Sequence, residues 1–206
     1  MELLTIAAPP LLARGADTSR SMATRIAFGE LLSTALRERG RTAVAASRSV
    51  SGRVESGGAW SDAPAHAELA AALGEPFGRA LRTTFEWYLC RGAFFHNDAH
   101  YPTVLFGVWY IEGPLVDVVF PRAGLRLAAT PGKFIVFDPF EIHGVLPPGA
   151  SEWHAEDQLA AETSALLGFE IELNPEIEAC FGIGAESPAR VLSSQTRIDA
   201  TTGAFE

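Results

Sequence analysis

Lysine is almost absent from this chain of 206 residues. Lys133 is the single lysine among 16 basic side chains; the others are arginines. With 25 acidic residues the net charge is -9. A chain this acidic, without a basic cluster, is poorly suited to a phosphate backbone, and no nucleic-acid partner is expected. Cysteine is scarce as well. Cys90 and Cys180 cannot form a disulfide framework, and no CxxC pair offers a zinc or redox site. Both are expected as buried thiols in a reducing compartment. Long apolar runs are missing too: none reaches the ~20 residues that a membrane-spanning helix needs. The N-terminal stretch "MELLTIAAPPLLARGA" is apolar but carries Glu2 and no basic n-region, so a cleaved signal is not expected. The expected place is the cytoplasm, with no membrane partner. No GxSxG or P-loop occurs, and "GIGAES" near Gly182 precedes no convincing helix.

What is present is an apolar share of the kind that packs a core. Apolar residues make up 48% of the chain, enough for one sizeable domain over 1–206. Its expected parts are a mainly helical support layer over 1–92, a β core over 93–185 and a polar tail over 186–206. In the front part, Met22, Ile26, Leu31, Leu32 and Leu36 fall near helical spacing, which predicts a helix from Thr18 to about Glu38, with Gly40 as its stop. Residues 46–64 are rich in Ser and Gly and read as a long loop anchored by Trp60. Pro64 to Cys90 reads as a second helical stretch, broken near "GEP". Phe77, Leu81, Phe85 and Leu89 form its apolar stripe, a core face.

From Ala93 the period changes. "TVLFGVWYIEG", "LVDVVF", "LRLAAT", "KFIVFD", "HGVL", "ALLGFEIEL" and "EIEACFGI" are short β-branched or aromatic runs separated by Gly and Pro turns. Seven or eight such strands predict a sandwich or barrel behind two helices. Residues 151–163 interrupt them as a short helix or flap.

One polar stretch stands at the mouth of this β region. "FFHNDAHYPTVLF" places His96 and Asp98 two apart, on one face of an extended strand, with Asn97 pointing away. His143 follows 45 residues after Asp98, in "FDPFEIHGV". If the strands fold back, His143 meets the first pair. Two imidazoles and one carboxylate on one face of a metal form the set that non-haem Fe(II) oxygenases use, with open positions opposite.

The order of HxD, then strands, then "PGKFIVFDPFEIHGV" resembles the Fe(II)/2-oxoglutarate-dependent oxygenase superfamily, over roughly residues 93–173. The resemblance implies a double-stranded β-helix, a jelly-roll or cupin-like barrel that is mainly β with an α-helical front. It implies His96, Asp98 and His143 as iron ligands and catalytic centre. Fe(II) and 2-oxoglutarate would be cofactor and co-substrate. The reaction would be an O2-dependent hydroxylation or other oxidation of a small-molecule or amino-acid-type substrate. A homodimer is the base-rate expectation. One departure stands out. Many family members carry an Arg or Lys about ten residues after the distal His to hold the far carboxylate of 2-oxoglutarate, and "GVLPPGASEWHAEDQ" contains neither. Arg126, on a strand, is the first candidate for that role, because a guanidinium fork matches a carboxylate. Arg190 is a second, folding back; Arg122 and Lys133 flank turns and are expected in solvent.

Other residues are candidates of a lesser kind. His100, Tyr101 and Trp109 are candidate substrate contacts, and His100 is also a second donor to Asp98 or a replacement ligand. Asp138 and Glu141 are expected to cap a turn. His66 and His154 are expected at the surface. Two alternatives fit the same residues. One is a cupin-type metal-dependent dioxygenase or isomerase using His96, His100 and His143 without 2-oxoglutarate. The other is a catalytically inactive barrel that binds a ligand.

Overall fold

A computed structural model describes residues 4–7, 13–14, 23, 25–46, 53–98, 101, 103–159, 162–183, 191–192 and 198–204. His100 and Arg190 lie outside the described residues. In chain order the elements are β1 (Leu4–Ala7), β2 (Ala13–Arg14), β3 (Ile26–Glu30), α1 (Thr34–Ala46), β4 (Val54–Trp60), α2 (Ala63–Leu73) and α3 (Phe77–Ala80). Then come β5 (Phe85–Cys90), β6 (Ala93–His96), β7 (Val104–Glu112), β8 (Val116–Phe120), β9 (Leu125–Ala129), β10 (Lys133–Phe137) and β11 (His143–Leu146). The last are α4 (Ala155–Leu159), β12 (Ser164–Glu172), α5 (Pro175–Phe181) and β13 (Val191–Leu192).

Two sheets carry the architecture. The larger runs β1-β3-β10-β7-β12-β5-β4 and the smaller β6-β11-β8-β9. Every described pairing within them is antiparallel. From β5 to β12 the chain passes repeatedly between the sheets. Strands β5, β7, β10 and β12 fall in the larger one, and β6, β8, β9 and β11 in the smaller. This winding is the jelly-roll form of a double-stranded β-helix, mainly β with helices packed on one side. No helix among the described residues is long and apolar enough to cross a membrane.

The front of the chain is less helical than its spacing predicts. Ile26–Glu30 is a strand between β1 and β10, and α1 starts only at Thr34. Gly40 is no stop. It sits inside α1 at the closest approach to β7, where a Cβ would lie 2.9 Å from the Ile111 side chain. The expected loop contains β4, an exposed edge strand of the larger sheet. The second helical stretch ends early, and Phe85–Cys90 is β5. Its stripe nonetheless packs in the core as expected, with Phe77, Leu81 and Phe85 buried and Leu89 packed against them.

Local chemistry explains the helices that do form. Asp62 caps α2 by accepting from the Ala65 amide at 2.9 Å, and Gly74 closes it. Asn174 accepts from the Glu176 and Ile177 amides, and Gly182 closes α5 in the left-handed region at φ 68°. Each N-cap is worth about 1 kcal/mol. These helices cover the outer face of the larger sheet. Trp109, Leu105, Phe169, Leu167 and Phe134 meet Leu69, Phe77 and Phe181 there. The inner face turns toward the smaller sheet and lines the barrel.

Candidate metal centre and barrel cavity

His96 ends β6, and His143 begins β11. The two strands are antiparallel neighbours, and these two residues are direct register partners. Their ring centroids lie 4.5 Å apart. Asp98 follows two residues after His96, and its amide donates to the Pro139 carbonyl at 2.6 Å, which ties it to the turn before His143. Asp98 Oδ1 lies 3.9 Å from His96 Nε2, and Oδ2 lies 3.6 Å from His143 Nε2. One ligand atom from each of the three lies within 4.8 Å of the others.

The hydrogen bonds at the back of each ring fix its tautomer. His96 Nδ1 is 2.7 Å from the Phe94 carbonyl, and His143 Nδ1 is 3.0 Å from the Glu141 carbonyl. A carbonyl only accepts, so Nδ1 carries the proton in both rings and donates it. Each Nε2 then turns a lone pair toward Asp98. The buried His143 imidazole is held neutral: burial pushes it down to about 4, its neighbour His96 adds to the shift, and Asp98 opposes it. Two lone pairs and a carboxylate converge, all acceptors. A divalent cation satisfies them together, and the donor set suits iron.

The supporting turn is built from Asp138 and Glu141. Asp138 fulfils the expected capping role, accepting from the Phe140 amide at 3.1 Å and the Ala23 amide at 2.8 Å. Glu141 does not cap. It is buried, with Arg122 Nη1 3.6 Å away. Burial raises it to about 7, opposed by Arg122 and reinforced by Asp138. Arg122 is therefore no solvated turn residue: its side chain is only 9% exposed. The HxD spacing carries no trace of this buried pair, which appears only when the β8–β9 turn closes over the His143 turn.

The triad opens into a cavity of about 560 Å³ inside the barrel. Tyr101 lines it, as the sequence suggests. Trp109 does not. It is fully buried on the opposite face of β7, and its Nε1 donates to the Leu31 carbonyl at 2.8 Å. The inward residues of that strand are Phe106, Val108 and Tyr110, one position out of phase. Arg126 also lies outside the cavity wall. It projects outward from β9, donates to Asp117 at 2.6 Å and binds the Ala150 carbonyl. Among the described residues, the cations that do line the cavity are Arg53 and Lys133. Lys133 pairs with Glu30 across β10 and β3 and is not simply solvated. His66 is half-buried against the Leu81 carbonyl, and His154 is exposed beside Glu152.

No family model matches the chain, and no curated protein matches it. Among solved structures it is similar to a prolyl-4-hydroxylase from Pseudomonas putida, at 15% identity and TM-score 0.35, covering 84% of this chain and 95% of that one. It is similar to an oxidoreductase of the 2OG-Fe(II) oxygenase family from Burkholderia pseudomallei, at 13% identity and TM-score 0.32, covering 76% and 74%. It is also similar to the polyketide cyclase RemF from Streptomyces resistomycificus, at 13% identity and TM-score 0.30, covering 80% and 76%.

Proposed function

We propose that this protein is a non-haem Fe(II) oxygenase that uses 2-oxoglutarate and O2 to oxidise a small molecule. The observation that carries the reading is the convergence of three acceptors, His96 Nε2, His143 Nε2 and an Asp98 oxygen, with both Nδ1 protons committed to backbone carbonyls. His96, Asp98 and His143 would hold the metal. Bound Fe(II) with 2-oxoglutarate would supply the oxidising power to break a substrate C–H bond. The chain's own contribution is to keep both imidazoles neutral and oriented, and to exclude water with Phe120 and Phe137 beside the His143 ring and Phe106 against Phe137.

Lys133 is the proposed partner of the far carboxylate. It stands four residues before Phe137, whose ring lies 4.6 Å from His143. That separation is roughly 13 Å along the strand, a span that a five-carbon diacid and a lysine stem cover together. Arg53 lies at the same end, beside Val54, which pairs with Cys90. The test is anaerobic titration with Fe(II) and 2-oxoglutarate, watching for a visible charge-transfer band. A band that disappears in His143→Ala supports the reading.

A second reading is a cupin-type oxygen-using enzyme without 2-oxoglutarate. It is favoured by the lack of any cation on the described cavity wall beside the triad, and by the engagement of Lys133 with Glu30. Bound iron with no such band would select it.

A further inference from the structure

The barrel interior is apolar over most of its length. Val108, Val116, Val118, Ile135 and Leu166 line it away from the triad. Near the triad the wall becomes aromatic. Tyr101 stacks on Phe106 with centroids 5.4 Å apart at 15°, and Phe106 meets Phe137 edge-on at 5.9 Å. Tyr88 meets Phe106 edge-on at 6.3 Å. Such a wall offers both faces and edges to another ring.

Charge is placed differently. Besides Asp98, the acidic group on the wall among the described residues is Glu86, to which the Ser56 hydroxyl donates. The cations sit at the far end. An amino-acid ligand would bring two opposite charges to the triad, and desolvating them without counter-charges is costly. No such pair of counter-charges stands there among the described residues. Neutral hydrogen-bonding groups do. Tyr88 and Tyr101 both stand on the cavity wall, and both rings pack on Phe106. Burial raises the Tyr88 pKa further above its ordinary value, with Tyr101 and Glu86 adding to the shift, so the hydroxyl keeps its proton.

We infer that this cavity takes a neutral, ring-bearing molecule with a phenolic or enolic hydroxyl. Its ring lies against Phe106 and Phe137, and its hydroxyl engages the Tyr88–Tyr101 pair. A cavity of about 560 Å³ has room for two fused rings and more. The inference names the substrate class of the oxygenase proposed above and rests on that reading for the reaction, but not for the binding.

Calorimetry on the metal-free wild-type protein tests it with 2-naphthol, naphthalene and L-phenylalanine as probes. The expected order is 2-naphthol first, naphthalene roughly 3- to 10-fold weaker, and no saturable binding of L-phenylalanine. Tyr88→Phe and Tyr101→Phe should each weaken 2-naphthol by a similar factor and leave naphthalene unchanged. Binding of L-phenylalanine as tight as 2-naphthol overturns the inference. So does failure of 2-naphthol to bind, or indifference to both tyrosine variants. Should a variant not fold, the ranking of the three probes on wild type still decides. Cobalt(II) titration of the same wild-type sample reads the triad separately. Cobalt binding without 2-naphthol binding sinks the substrate class alone; 2-naphthol binding without cobalt sinks the oxygenase alone.

Discussion

His96 and His143 face each other across the β6–β11 ladder, each ring held from behind by the carbonyl two residues earlier in the chain. Without a cation, their lone pairs and the Asp98 carboxylate oppose one another. A cation that binds this folded arrangement and not the unfolded chain stabilises the fold by mass action, about 2.7 kcal/mol at a hundred times Kd. Thermal unfolding with and without cobalt(II) should show a clear rise in Tm. His143→Ala and Asp98→Ala should abolish that rise and weaken metal binding by roughly a hundredfold or more. An equal rise in all three proteins would refute the site.

Lys133 and Arg126 make opposite predictions for co-substrate binding. Lys133→Ala should weaken 2-oxoglutarate by about tenfold, the loss of one charge-assisted contact. Arg126→Ala should leave that affinity unchanged, because its guanidinium is committed to Asp117 and Ala150 on the outer side. Titration of the charge-transfer band checks both. The reverse pattern would return the role to Arg126.

Gly168 lies beneath the Tyr88 ring, two residues along β12 from Leu166. A Cβ there would lie 2.3 Å from the Tyr88 ring. Gly168→Ala should therefore displace Tyr88 and weaken 2-naphthol binding about tenfold or more, the loss of a hydrogen bond plus ring contact. Cobalt affinity should stay as in wild type. Unchanged 2-naphthol affinity would show that the ring gives way without consequence.

Trp109 is a core residue, and its removal should be felt as stability. Trp109→Ala should cost about 3–5 kcal/mol in urea unfolding. Trp109→Phe keeps most of the packing but leaves the Leu31 carbonyl without its donor, at a cost of about 1–3 kcal/mol. Metal affinity of the folded fraction should not change in either variant.

Cys90 is 1% exposed, and burial pushes its thiol up to about 12. Alkylation needs the thiolate, which is scarce at any pH well below that value. Iodoacetamide at pH 8 should leave Cys90 unmodified in the folded protein and label it after unfolding, as read by peptide mass spectrometry. Rapid labelling in the folded state would contradict the burial.

The polar residues of the centre were legible because histidine and aspartate at strand ends are conspicuous against apolar runs. Their meeting follows once β6 and β11 are read as strands that fold back. The cavity wall was less legible. Phe85 and Leu89 stand four apart, which suits one face of a helix and equally one face of a strand, and tertiary pairing with β12 decides for the strand. Trp109 stands one residue out of phase with the inward face of β7, since alternation fixes two faces but not which of them is inward. The Glu141–Arg122 pair and the place of exposed Arg53 on the cavity wall depend on distant segments coming together, and no local pattern records that.

The two sheets divide the labour. The histidines stand on β6 and β11 of the smaller sheet, and Asp98 follows β6 directly. The larger sheet supplies Tyr88, Phe106, Val108, Ile135 and Leu166 to the chamber. Substitutions on the inner face of β5, β7 or β12 can thus reshape what the chamber admits while the backbone that carries the histidines stays in place. The barrel is in that sense modular: one wall carries the candidate metal ligands, and the other is an exchangeable mould that a few side-chain changes could recast for a different guest.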